Sequence, residues 1–135
     1  MSATVVLDTH ALVWLLEGDE RLSLPARQAV EAASTVWVAA ITPWEIGMLV
    51  AKGRLCLARD VLEWLDQAFA LPRLQLAPLS PAIAVASTRL PGELHGDPAD
   101  RLIAATARHL GATLITADER LLSWARAGHV QFIPT

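Results

Sequence analysis

The 135 residues, 53% hydrophobic and 19% charged, exclude a disordered chain and supply enough apolar mass for a core without staples. A net charge of −3 carries no overall signature of a nucleic-acid binder, and the single cysteine, Cys56, rules out an intrachain disulfide and a cysteine-rich zinc site. The longest strictly apolar runs, VWVAAI (36–41) and ALVWLL (11–16), fall far short of the roughly 18 residues of a membrane span, and MSATVVLDTH lacks the basic start of a secretory signal. The expectation is therefore one cytoplasmic domain over residues 1–135 with no membrane partner.

In chain order, TVVLD (4–8) is a β-branched apolar run that ends in an acid, which suits a strand buried on both faces. A helical pattern then runs from Thr9 to Glu17 and stops at Gly18. A second helix is expected over 24–34 after Ser23, and a strand at TVWVA (35–39). TPWEIGMLVAKG (42–53) reads as a helix with Thr42 as cap, Pro43 at its first position and Gly53 as its stop. Another helix covers 58–70, and LQLAPL (74–79) is a short strand. SPAIAVASTRL (80–90) is a helix opened by Ser-Pro, followed by the loop PGELHGDP (91–98). The helix 98–110 starts at Asp97-Pro98 and ends at Gly111, and after it come the strand ATLITA (112–117), the helix DERLLSWARAG (118–128) and the strand VQFIP (130–134). Strands alternating with helices predict a doubly wound α/β sheet of about five parallel strands.

In such a sheet ligands bind beyond the carboxyl ends of the strands, near the switch in strand order. Asp8 ends the first strand, Glu45 follows the second after a short turn, and Asp118 follows ATLITA, so short βα turns should bring all three to one rim. Asp100 opens the helix that precedes ATLITA. Each acid also has a local explanation. Glu45 completes a capping box with Thr42, Asp118 can cap its helix, and Asp100 suits a helix N-terminus. Asp8 has the poorest of these, because an acid closing an apolar strand gains nothing from packing. Helical spacing places Asp100 with Ile103, Ala104 and Ala107, and Glu45 with Met48 and Leu49, so both acids tend to face the protein. Carboxylates crowded on one rim repel each other, and the remedy is a hard divalent cation, Mg²⁺ or Mn²⁺. That ion would acidify a water and stabilise charge on a phosphodiester. Asp97 is left as a cap or a supporting acid. No P-loop, GxSxG elbow or zinc-ligand spacing occurs.

These segments, LDTHALVWLL, TPWEIGMLVAKGRL, HGDPADRLIAATA and TLITADERL, resemble the PIN-domain family and, within it, the VapC-type ribonuclease toxins of bacterial toxin–antitoxin pairs. The resemblance covers essentially the whole chain. It implies a three-layer α/β/α sandwich and a metal-dependent endoribonuclease using Mg²⁺, or Mn²⁺ in its place, to hydrolyse RNA with activated water. Asp8, Glu45, Asp100 and Asp118 match the four family acids in order, and Thr116 matches the hydroxyl two residues before the fourth. Thr9 and Asp97 are second-tier candidates. A homodimer and a cognate antitoxin that inserts at the active site are also implied, in keeping with the high apolar fraction.

Other residues give weaker signals. Ten arginines against one lysine (Lys52) suit phosphate contacts but equally a GC-rich genome. Arg101 has two readings, binding a phosphate or bracing a neighbouring acid. His10 is expected to pack or start its helix, His95 to be an inert loop residue, and His109 and His129 to be structural or exposed. The five tryptophans are expected in the core or an interface, with Trp14 the dimer-interface choice. Two rival functions stand beside the ribonuclease. A receiver-like Mg²⁺-binding signalling domain needs a lysine at the end of a late strand, whereas Lys52 lies on a helix. A non-catalytic RNA- or protein-binding module would hold its partner without cutting it.

Overall fold

The computed structural model describes residues 3–135. Its order is β1 (Thr4–Leu7), α1 (Thr9–Glu17), α2 (Leu24–Ala32), β2 (Thr35–Ala39), α3 (Thr42–Ala51), α4 (Val61–Phe69), β3 (Leu74–Ala77), α5 (Pro81–Ala86), α6 (Pro98–Leu110), β4 (Thr113–Thr116), α7 (Glu119–Trp124) and β5 (Phe132–Pro134). The five strands form one all-parallel sheet in the order β3-β2-β1-β4-β5. A receiver domain follows a different order, 2-1-3-4-5, so the signalling rival loses its topology.

Side chains alternate across the sheet, and each face has its own core. Val5, Leu7, Val36, Val38 and Leu74 pack against α1, α2 and α4, through residues such as Leu12, Val30 and Trp64. Val6 and Leu114 face the other way, onto Ile103, Ala104 and Ala107 of α6 and Leu121 and Trp124 of α7. Helices on both faces make the three-layer sandwich. Val6, Leu7, Leu12 and Leu114 are fully buried, each contributing about 1.5–3 kcal/mol of apolar transfer. α6 turns small side chains, Ala104 and Ala107, toward Val6 and Leu114 of the sheet.

Several helix ends differ from expectation. Thr42 does not cap α3. The capping position is Ile41, which makes no side-chain cap bond, and Thr42 is fully buried inside the first turn. The capping box therefore does not form and Glu45 is released for another partner. α3 ends at Ala51 rather than at Gly53, α4 starts at Val61 after Asp60 rather than at 58, and α5 stops at Ala86. Residues 87–97 are irregular, so the loop before α6 is longer than the stretch 91–98. The last helix breaks after Trp124 into one wide turn over 125–129, where Gly128 adopts φ 99°. Gly18 and Gly111 close α1 and α6 in the left-handed conformation that their positions call for.

Candidate active site

The strand order reverses direction between β1 and β4, and both strands end in site residues. Asp8 follows β1 directly and its N–H donates to the Ile115 carbonyl (3.1 Å), extending the β1–β4 ladder by one bond. Its carboxylate caps α1. Oδ1 accepts from the Ala11 N–H (2.8 Å) and Oδ2 from the Thr116 hydroxyl (2.5 Å). Thr116, the last residue of β4, is fully buried, and its hydroxyl oxygen accepts the Asp118 N–H (3.0 Å). Asp118 caps α7 through Oδ1, which takes the N–H groups of Arg120 and Leu121. One hydroxyl thus locks the ends of two strands and two acids into one arrangement.

Glu45 reaches the same place from α3. Its Oε1 accepts a hydrogen bond from the Thr9 hydroxyl (2.5 Å), which ties it to the residue after Asp8. Thr9 is buried and its Oγ1 also lies 3.4 Å from the Thr42 hydroxyl. Asp97 caps α6 by accepting the Ala99 N–H (3.0 Å), and Asp100 sits in the first turn with its side chain only 16% exposed. Asp8, Asp97 and Asp118 are therefore the caps of three helices whose N-termini converge, a setting that favours negative charge.

That favour is not enough to offset the crowding. Burial, and after it the charges of Asp118, Asp97, Glu45 and Asp8, push the Asp100 carboxyl up to about 7. Burial also raises Asp8, against the hydrogen bonds from Thr116 and Ala11 and the nearby His10, while Asp118 adds to the rise. The five acids lie close enough to feel one another, and no arginine or lysine forms an ion pair with any of them among the described residues.

The sequence signal missed His95. Its Nε2 is buried 3.1 Å from Asp100 Oδ2 but is not aligned for a hydrogen bond, so it is left without a partner. Its Nδ1 accepts the Asp97 N–H (3.2 Å). His95, Asp97 and Asp100 each offer one ligand atom, and these lie within 4.8 Å of one another. The spacing H-x-D-x-x-D around a helix start was the available clue. Arg101 forms no ion pair with a neighbouring acid among the described residues. It donates to the carbonyls of Ser87 and Leu94 (both 2.8 Å) and, more weakly, His95 (3.4 Å), so it pins the irregular segment from which His95 projects. Trp14 is half-buried, with the Arg21 guanidinium 4.8 Å over its ring.

Carboxylates at the switch point of a 3-2-1-4-5 parallel sheet match a known pattern, since residues 5–127 fit the profile of the PIN domain. The chain belongs to the PIN-domain family. It is 42% identical over 120 residues to Ribonuclease VapC22 of Mycobacterium tuberculosis, a match that covers 89% of this chain and 91% of that one. This PIN domain also resembles a toxin–antitoxin complex from Klebsiella pneumoniae, with 26% identity, a TM-score of 0.63 and coverage of 96% of this chain and 95% of that one. VapBC2 from Rickettsia felis, solved bound to a DNA fragment from its promoter, shares the fold at 18% identity and a TM-score of 0.67, over 97% and 98% of the two chains. Among the described residues, no helix of the PIN domain is long and apolar enough to cross a membrane.

Proposed function

We propose that this single PIN domain is a metal-dependent endoribonuclease, with Mg²⁺ as its ion and Mn²⁺ able to replace it, and that it acts in the cytoplasm as the toxin of a toxin–antitoxin pair. The observation that carries this reading is the convergence of Asp8, Glu45, Asp100 and Asp118 beyond β1 and β4, held there by Thr9 and Thr116. The donor set fits a hard divalent cation. It is almost wholly carboxylate oxygen, burial and then mutual repulsion lift Asp100 to about 7, and a bound cation offsets that repulsion. A single imidazole, His95, does not turn the set into a zinc site.

Asp8, Asp100, Asp118 and Glu45 are the ligands in this reading. When bound, the cation supplies charge neutralisation at the scissile phosphate and acidifies the attacking water. The chain's own residues prepare the geometry. Thr116 and the Ala11 N–H fix both oxygens of Asp8, so its carboxylate cannot rotate. Asp118 spends Oδ1 on its own helix cap and keeps Oδ2 for the site. Thr9 does the same for Glu45, holding Oε1 and leaving Oε2. Asp97 orders the start of α6 and thereby the direction of Asp100.

A cognate antitoxin is supported by the likeness to the toxin–antitoxin complex from Klebsiella pneumoniae and the 42% match to VapC22. A homodimer accords with the apolar side chains left exposed, among them Leu24, Leu62 and Leu71. The test is cleavage of total cellular RNA by the purified protein freed of any partner, with Mg²⁺ or Mn²⁺, mapping every new 5′ end. Discrete ends that vanish with EDTA and in Asp8→Asn support the reading. A folded protein that binds Mn²⁺ and RNA but makes no ends replaces it with the non-catalytic binding module.

A further inference from the structure

Beside the acids lies a pocket of about 390 Å³ whose walls are mostly apolar, formed by Ile41, Trp44, Met48 and Pro98, with Glu45 and Asp97 also lining it. We propose that this pocket holds an unstacked nucleobase of the substrate strand and that Trp44 is its stacking platform. The proposal rests on the ribonuclease reading of the adjoining site and adds to it a subsite for the base.

Continuity with the acid cluster is the first argument. Glu45 is bonded to Thr9, next to Asp8, and Asp97 caps the helix that carries Asp100. The pocket therefore adjoins the acid cluster through Glu45 and Asp97, and a base joined through its ribose to the scissile phosphate satisfies both places with one strand. The state of Trp44 is the second. The residue is 59% exposed, although a tryptophan gains much from burial. The indole N–H groups of Trp64 and Trp124 are engaged, by Glu17 (3.0 Å) and the Pro91 carbonyl (2.8 Å), whereas Trp44 makes no such bond among the described residues.

The chemistry of the walls selects the occupant. Free phosphate or an acidic ligand is repelled by Glu45 and Asp97. A nucleobase is flat, uncharged and π-faced, which suits the indole and the apolar walls. Its edge carries N–H donors for Asp97 Oδ2, the oxygen not used by Ala99. Carboxylates accept and cannot donate, so the pocket favours an edge of donors. The volume falls in the range of small-ligand sites, and stacking on an aromatic is the usual way in which proteins read unpaired bases.

The experiment follows the indole N–H signals of the partner-free protein by NMR, with Mg²⁺ present and Trp44 assigned from Trp44→Phe. The probes are adenosine and guanosine 5′-monophosphates, with ribose 5-phosphate as the baseless control. Saturable movement of the Trp44 signal by the nucleotides, with Trp64 and Trp124 still and ribose 5-phosphate silent, is the expected result. Trp44→Ala weakens binding of a short oligoribonucleotide by about 5- to 100-fold, and Trp44→Phe keeps most of it. An equal response to ribose 5-phosphate, or no response to either nucleotide, overturns the subsite. So does a change of oligomeric state in Trp44→Ala without a nucleotide response, which assigns the face to a second copy of the chain. A responding Trp44 in a protein that cuts no RNA removes the ribonuclease reading and leaves the subsite. RNA cleavage with a silent Trp44 and an unchanged base profile in Trp44→Ala does the reverse.

Discussion

Replacing Asp100 by asparagine should weaken the enzyme and strengthen the fold at the same time. In the unfolded chain Asp100 titrates near 3.8, whereas in the metal-free fold it is pushed up to about 7 by burial and by the surrounding acids. Below the unfolded value both states hold the proton and the group contributes nothing. Between the two values the unfolded chain releases its proton while the folded chain retains it, so stability falls as pH rises. Above about 7 the loss is complete and constant. A shift of about three units corresponds to about 4 kcal/mol. Solvent on the open side of the carboxyl screens part of this, and about 2 kcal/mol is the working magnitude.

The assay is urea unfolding at pH 5 and pH 8 with EDTA present, for wild type and Asp100→Asn. Part of the loss is already present at pH 5, so wild type should lose about 1 kcal/mol more than the variant between the two conditions, and the variant should be the more stable at pH 8. The pH difference is the informative quantity, because any packing cost of the amide cancels within each protein. Asp19, whose carboxyl is drawn down to about 2 by Arg21, titrates outside this window in the folded state. Buried Asp8 is shifted in the same direction as Asp100 and remains in both proteins. A wild type whose stability rises from pH 5 to 8, or a variant with the same pH dependence as wild type, would refute the account of crowded, uncompensated acids.

Three further changes test the supports of the site. Thr116→Val removes the donor to Asp8 and the acceptor for the Asp118 N–H, and should cost about 1–3 kcal/mol in urea unfolding together with most RNA cleavage. Thr9→Val frees Glu45 and should lower metal affinity or activity about 10- to 100-fold, read by Mn²⁺ titration beside cleavage rates. Arg101→Ala unpins the carbonyls of Ser87, Leu94 and His95, so amide hydrogen exchange should accelerate over residues 87–97 while the sheet stays protected. Arg101→Lys should not restore it, because one ammonium cannot reproduce the fork of the guanidinium.

The apolar run TVVL, the helix caps Ser23 and Asp97 and the glycine stops at 18 and 111 are local signals. They predicted the alternation of strands and helices and hence the doubly wound sheet, because backbone conformation and hydrophobic period are properties of a few neighbouring residues. The acids at strand ends were legible for the same reason, since βα turns are short. Local logic failed where tertiary partners competed with it. Thr42 had every mark of a cap but was drawn into the core, and Glu45 turned from its capping box to Thr9, thirty-six residues away in sequence.

The rest was decided by the fold alone. His95 stands at Asp100 because Arg101 holds its loop there, the Asp100 carboxyl is raised because the fold buries it and brings other acids around it, and Trp44 stays bare because no other described residue folds over it. A charge state or an exposed ring depends on what the three-dimensional chain brings near it, and contacts between residues far apart in sequence have no period or spacing to announce them.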